Sequence, residues 1–182
     1  MPYDFISLDK LEKTGIIRLQ RPEALNALNH QMIKELEQAF MEWEADENVR
    51  VVIITGEKNF AAGADINDML DFDPEQARAF SFHQCFAQIE AFPKPVLAAI
   101  SGFALGGGLE LALACDWRIA DKTARLGLPE INLGIFPGAG GTLRLPRLIG
   151  AARAKEMIFS GRPINAQKAL EYGLINELAD DA

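Results

Sequence analysis

At 182 residues the chain is long enough for one domain that buries roughly two-thirds of its unfolded surface. Its 49% hydrophobic and 24% charged residues are those of an ordinary globular protein, and a formal net charge of −8 excludes a general nucleic-acid binder, which needs a basic footprint. Cys85 and Cys115 are too few for a disulfide framework and stand at no metal-ligand spacing, so small buried thiols in a reducing compartment are expected.

Met1-Pro2-Tyr3-Asp4 has neither the basic nor the apolar region of a signal peptide, and a cytoplasmic location is expected. Phe5-Ile6-Ser7-Leu8 and Gly15-Ile16-Ile17-Arg18-Leu19 are short β-like runs. Asn29 caps a helix in which Ile33, Leu36, Phe40 and Trp43 recur at helical spacing. Val49 to Thr55 reads as a buried strand ended by Gly56. The loop from Asn59 to Asp65 follows, and its small side chains let a ligand approach the backbone closely. Asp73-Pro74-Glu75 opens the next helix, with proline in a first turn, and this helix runs through Phe80, Cys85, Phe86 and Ile89 to a stop before Pro93.

Val96 to Cys115 is almost wholly apolar and includes Gly102-x-x-x-Gly106. A membrane span would set Glu110 and three consecutive glycines in lipid, with Pro95 at its entry. A buried strand, a tight turn at Gly106-Gly107-Gly108 and a buried helix account for the stretch better, and no membrane association is expected. Trp117 to Ala120 and Leu126 to Leu128 are further apolar runs. Pro137 to Thr142 opens a helix, others lie near Ala151 to Phe159 and Ala166 to Tyr172, and Leu174 to Leu178 reads as a last strand. Strands alternating with helices give an α/β class.

Chemistry concentrates around the glycine triplet. Free N–H groups at a helix start favour developing negative charge, and Glu110 stands in that first turn, with a second carboxylate in Pro129-Glu130-Ile131. From the residues alone Glu110 either serves a site or points outward and caps its own helix, and Pro129-Glu130 is also an ordinary helix start. Between Asp121 and Lys155 six basic residues face two acids, either toward an anionic ligand or as a solvated helix face. Phosphate-loop and dinucleotide-binding spacings are absent, as is a serine-hydrolase elbow. His30 and His83 have no partner at metal-ligand spacing and read as structural or exposed.

Five stretches in order are similar to one family: Arg21 to Leu28, Phe60 to Ile66, Ser101 to Glu110, Leu128-Pro129-Glu130, and Leu133 to Thr142. On these the chain resembles the crotonase superfamily, most closely the enoyl-CoA hydratases, over nearly all of its 182 residues. The resemblance implies one crotonase-like core domain over 1–182, an α/β spiral of repeated ββα units. It also implies a short C-terminus, without the further helices that in full-length members close the acyl pocket and build a trimer interface; exposed apolar surface is expected in their place.

The implied activity is hydration of a trans-2-enoyl-CoA thioester in β-oxidation-type fatty-acid metabolism. The substrate is an acyl-CoA, with no metal or other cofactor. By that likeness Glu110 and Glu130 are the catalytic carboxylates, the N–H groups of Ala64 and Gly107 form an oxyanion hole, and Gly138 helps to place the attacking water. Leu25, Ala27, Ala62, Ala64 and Ile66 line the CoA groove, and Lys58 either approaches the phosphates or is a plain surface lysine. Leu128 stands where some hydratases carry glutamine. An enoyl-CoA isomerase, which can work with one carboxylate, and a non-catalytic acyl-CoA binder or assembly partner are the alternatives. Homotrimer-type self-association is implied for full-length relatives.

Overall fold

In the computed structural model, which describes residues 3–69 and 82–180, short strands alternate with helical segments. The first unit is the hairpin β1 (Ile6–Leu11) and β2 (Thr14–Leu19), followed by α1 (His30–Ala45). The next is β3 (Val51–Gly56), with α2 (Ile66–Met69) and α3 (Phe82–Glu90). Then come β4 (Val96–Ile100), β5 (Phe103–Leu105) and α4 (Gly107–Ala114). A fourth unit has β6 (Trp117–Asp121), β7 (Arg125–Gly127) and a 3-10 turn at Glu130–Leu133. The chain continues through α5 (Gly141–Ile149), α6 (Ala151–Ser160), β8 (Ile164–Asn165), α7 (Ala166–Tyr172) and β9 (Glu177–Ala179).

Among the described residues the strands form a sheet in the order β1-β2-β3-β4-β6-β9, parallel except for the opening hairpin, and a smaller one in the order β5-β7-β8. Single bridges extend the smaller layer: Ala61 pairs with Ala104 of β5, and Leu28 with Ala64. From β3 onward each of these units places one run in the large sheet and the next in the small layer, while the opening hairpin lies in the large sheet. This is the α/β spiral of ββα turns that the motifs implied. Val96 to Cys115 forms the expected strand, turn and buried helix as β4, the Gly106 turn and α4, with the short β5 between them in addition. No helix among the described residues is long and apolar enough to cross a membrane.

Local chemistry explains the elements. The Asn29 side chain accepts the Met32 N–H at 2.8 Å and caps α1, whose inner face buries Met32, Leu36, Phe40 and Trp43. The buried Glu35 on the same helix accepts the N–H groups of Asp4 and Phe5, pinning the entry to β1. Gly106 takes φ +51° as the N-cap of α4, a conformation that any Cβ would strain. Gly108 allows α4 to lie on the backbone of residue 61, because an added Cβ would run into the Ala61 carbonyl. The triplet thus joins a tight turn to a close helix–strand crossing.

Several strands differ from the sequence reading. The third strand begins at Val51, since the Val49 N–H closes a turn on the Asp46 carbonyl. The last strand is Glu177–Ala179 and not Leu174 to Leu178. Leu174 and Ile175 are buried in the turn after α7, while Asn176 Oδ1 accepts the Arg118 N–H and aligns β6 with β9. β5 and β8, three and two residues long, carry too little pattern to announce themselves. The helix start expected at Asp73-Pro74-Glu75, and Phe80 within it, lie outside the described residues.

A buried polar brace fixes the 59–65 loop. Asn26, with φ +57°, accepts the Arg21 N–H through Oδ1 at 2.7 Å and donates through Nδ2 to the Asn59 carbonyl at 2.7 Å. Arg21 in turn donates to the Ala27 carbonyl and pairs with Asp65 at 2.6 Å. Asn26→Ala would orphan the Asn59 carbonyl and the Arg21 N–H; a loss of about 1–3 kcal/mol in folding stability is expected from denaturant titration.

Candidate active site

Small-residue loops and helix ends converge on a cavity of about 370 Å³. Its walls include Ala62, Gly63 and Ala64 from the braced loop, Gly106, Gly107 and Glu110 from the start of α4, and Pro129 and Glu130 from the 3-10 turn. Gly138 and Ala139 close one side, while Ile66, Phe82, His83, Leu133, Ile135 and Phe136 give it an apolar mouth.

The two carboxylates meet here. Glu110 is 3% exposed and neither points outward nor caps its own helix. Its Oε1 accepts the N–H of Ala139 at 2.8 Å and of Gly141 at 2.7 Å, so it sits on the amino end of α5, a different helix. None of the described hydrogen bonds engages Oε2. Burial pushes the Glu110 pKa above the ordinary carboxylate value; the N–H groups of Gly141 and Ala139 and the charge of Arg144 oppose that rise.

Glu130 is differently placed. It is 8% exposed, and its buried Oε2 has no hydrogen-bond partner among the described residues. Burial raises its pKa to about 7; its own backbone N–H opposes the shift and the neighbouring Glu110 charge adds to it. One carboxylate therefore has donors that favour its anion, and the other has an environment that favours its acid. Such divergence between neighbours suits paired proton transfer.

Between them lie two N–H groups. The Gly107 N–H opens α4, where no intrahelical acceptor is available, and neither it nor the Ala64 N–H has an acceptor among the described residues. They are close: a Cβ built on Gly107 would stand 3.5 Å from the Ala64 nitrogen. The brace holds the loop that carries Ala64. Burial alone would raise the Asp65 pKa, but Arg21 and the N–H groups of Asn67 and Asp68 outweigh it and hold it below the usual value.

The sequence-chosen residues fall into groups. Glu110, Glu130, Ala64, Gly107, Gly138, Ala62 and Ile66 all line this cavity. Leu25 and Lys58 line a second one of about 450 Å³, with Arg18, Glu57 and Asn59. Ala27 lines neither, and serves instead as a carbonyl acceptor for Arg21. The two cavities approach each other where the Ala62 N–H donates to the Leu25 carbonyl at 3.1 Å. Leu128 is fully buried. Phe82, His83, Phe136 and the Ala139 N–H were missed. His83 has a solvent-exposed side chain and no spacing partner, and the Ala139 role needs a peptide orientation that no side-chain pattern encodes. Among the described residues no group of three or more His, Cys, Asp and Glu is placed to hold a metal ion.

Residues 11–182 match the enoyl-CoA hydratase/isomerase family. The chain belongs to that family. It is 45% identical over 184 residues to the short-chain-enoyl-CoA hydratase of Clostridium acetobutylicum, covering 99% of this chain and 70% of that protein. It is 46% identical over 182 residues to the crotonyl-CoA hydratase of Syntrophomonas wolfei, covering 98% and 70%. A crystal structure of enoyl-CoA hydratase from Bacillus anthracis superposes with a TM-score of 0.93 at 46% identity, over 97% of this chain and 70% of that one.

Within this hydratase/isomerase fold the environment of Glu130 is directly measurable. Its carboxyl is expected to titrate near pH 7 by carbon-13 NMR, and Glu110→Gln, which removes a neighbouring negative charge, is expected to lower that midpoint. A Glu130 midpoint in the ordinary carboxylate range would contradict the site as described.

Proposed function

We propose that this chain is an enoyl-CoA hydratase, adding water across the 2,3 double bond of trans-2-enoyl-CoA thioesters. The observation that carries this reading is a pair of buried carboxylates on one cavity, one held by two N–H donors and the other without a partner on Oε2, beside two N–H groups without acceptors among the described residues. An isomerase can move a proton with one carboxylate. Hydration uses two, one to take a proton from water and one to deliver a proton to carbon.

The steps balance with the residues present. The thioester oxygen binds the Ala64 and Gly107 N–H groups. Glu110, held through Oε1, takes a proton from water through Oε2 as the water oxygen bonds to C3. The π electrons move toward the thioester, and the enolate oxygen gathers charge against the two donors. Each such donor is typically worth about 2.7–4 kcal/mol in the transition state. Glu130 then gives its proton to C2, and the product carries a hydroxyl at C3. Gly138, on the Glu110 side of the cavity, helps to seat the water.

Ala62 and Ile66 line the passage for the thioester arm, and the cavity holding Leu25 and Lys58 receives the distal part of CoA. Ala27 contributes only through the brace on that loop. Phe82, Leu133 and Phe136 contact the acyl chain. No resident cofactor takes part in these steps. Two buried free thiols among the described residues support a reducing, cytoplasmic setting.

The sign of the pH dependence follows from the roles. Glu110 acts as its anion, so kcat/KM rises with pH through the Glu110 pKa. Glu130 acts as its acid, so kcat/KM falls above about pH 7. Purified protein is expected to consume crotonyl-CoA with that profile. Glu110→Gln and Glu130→Gln are each expected to lose about 10²–10⁴-fold in kcat. Near-wild-type turnover in either variant would remove that residue from its role.

A further inference from the structure

Arg144 is a charge that the steps above do not use. It stands in the first turn of α5 with its side chain 9% exposed, and its guanidinium is committed on both sides. Nη1 donates to the Ala139 carbonyl at 2.9 Å, and Nη2 and Nε both donate to Glu90 Oε2, at 2.7 and 3.2 Å. Glu90 is the last residue of α3, the helix whose start supplies Phe82 and His83 to the cavity. Ala139 is therefore gripped on both sides: its N–H, on the 138–139 peptide, by Glu110, and its carbonyl, on the 139–140 peptide, by Arg144. Arg144 thus holds the peptide that lies between the two donors on Glu110. The guanidinium also lies over Gly140, where an added Cβ would collide with Nη1. Glycine at 140 leaves room for this grip.

We propose that Arg144 is a positioning residue, anchored by Glu90, that fixes the 139–140 peptide so that the flanking N–H groups of Ala139 and Gly141 stay aimed at Glu110 Oε1. This rests on the reading of Glu110 as the base. With the 139–140 peptide free to turn, the flanking peptides would lose their alignment and withdraw a donor from that carboxylate. Arg144 also brings a positive charge to the same corner. Among the described residues few other charged or titratable groups face it. The 3-10 turn contributes Glu130, α3 contributes His83 at the mouth and Glu90, which is already paired, and Cys85 of α3 is turned toward the Ile33 carbonyl. Arg147, on the same helix, is exposed.

The test is direct titration of the Glu110 carboxyl by carbon-13 NMR on glutamate-labelled protein, with Glu110→Gln identifying its resonance. Wild type, Arg144→Met and Arg144→Lys are compared, alongside the pH profile of crotonyl-CoA hydration. Arg144→Met is expected to raise the Glu110 midpoint by about one pH unit. The ascending limb of kcat/KM should move with it, and the descending limb should stay in place. Arg144→Lys keeps the charge but cannot serve Ala139 and Glu90 together, so its midpoint should rise by less.

An arginine acting through its charge alone would raise the midpoint in Arg144→Met and leave it unchanged in Arg144→Lys, and one that only stabilises the fold would move neither. An unchanged midpoint in either folded variant overturns the proposal; if Arg144→Met does not fold, Arg144→Lys decides by the same criterion. A raised midpoint in a protein with no hydratase activity would uphold the positioning role and sink the hydratase reading instead.

Discussion

A carboxylate at 3% exposure survives in this fold because two peptide N–H groups, those of Ala139 and Gly141, meet one of its oxygens. Without them the anion would be buried and unpaired, at a cost of several kcal/mol. The clamp joins α4 to the amino end of α5, and so fixes where the glycine-rich turn, the 3-10 turn and the Pro137–Gly141 loop meet. The partial positive charge of a helix start adds to it. The cavity is the space left between these three segments.

The same arrangement separates two chemically identical groups. Glu110 has two donors and Glu130 has none on Oε2, so burial is offset more in the first than in the second. A base and an acid can then coexist at one pH, a short distance from two idle N–H groups. Backbone supplies most of the polar machinery: two donors for the clamp and two for the developing oxyanion. Small residues at 62, 63, 64, 106, 107 and 138 let that backbone reach the cavity, and apolar side chains at its mouth keep the setting dry enough for these charges to matter.

What could be read from the chain follows the range of each interaction. The Asn29 cap spans three residues and was legible, as were the amphipathic α1 and the tight turn before α4. Glu110 itself was legible as a charge in an apolar run, but its partners lie 29 and 31 residues downstream. Without them its orientation was open between outward and inward. The Arg144–Glu90 pair, 54 residues apart, gave no sign beyond a local excess of basic residues. The ordered motifs carried the rest. Arg21 and Asn26, quoted only as part of a likeness, prove to be the brace for the Ala64 loop, whereas Leu25 and Lys58 sit on a second cavity. The Leu174 strand was misplaced because buried leucine and isoleucine look the same in a turn as in a ladder.

Hydration at this site transfers a solvent-derived proton to C2 and a solvent oxygen to C3. Mass spectrometry of the product formed from crotonyl-CoA in deuterium oxide enriched with oxygen-18 water reads both at once. The account predicts a 3-hydroxyacyl-CoA carrying one carbon-bound deuterium at C2 and one oxygen-18 at C3. An acyl-CoA that keeps its carbon–carbon double bond and takes up no oxygen-18, whether shifted in position or recovered unchanged, would contradict it.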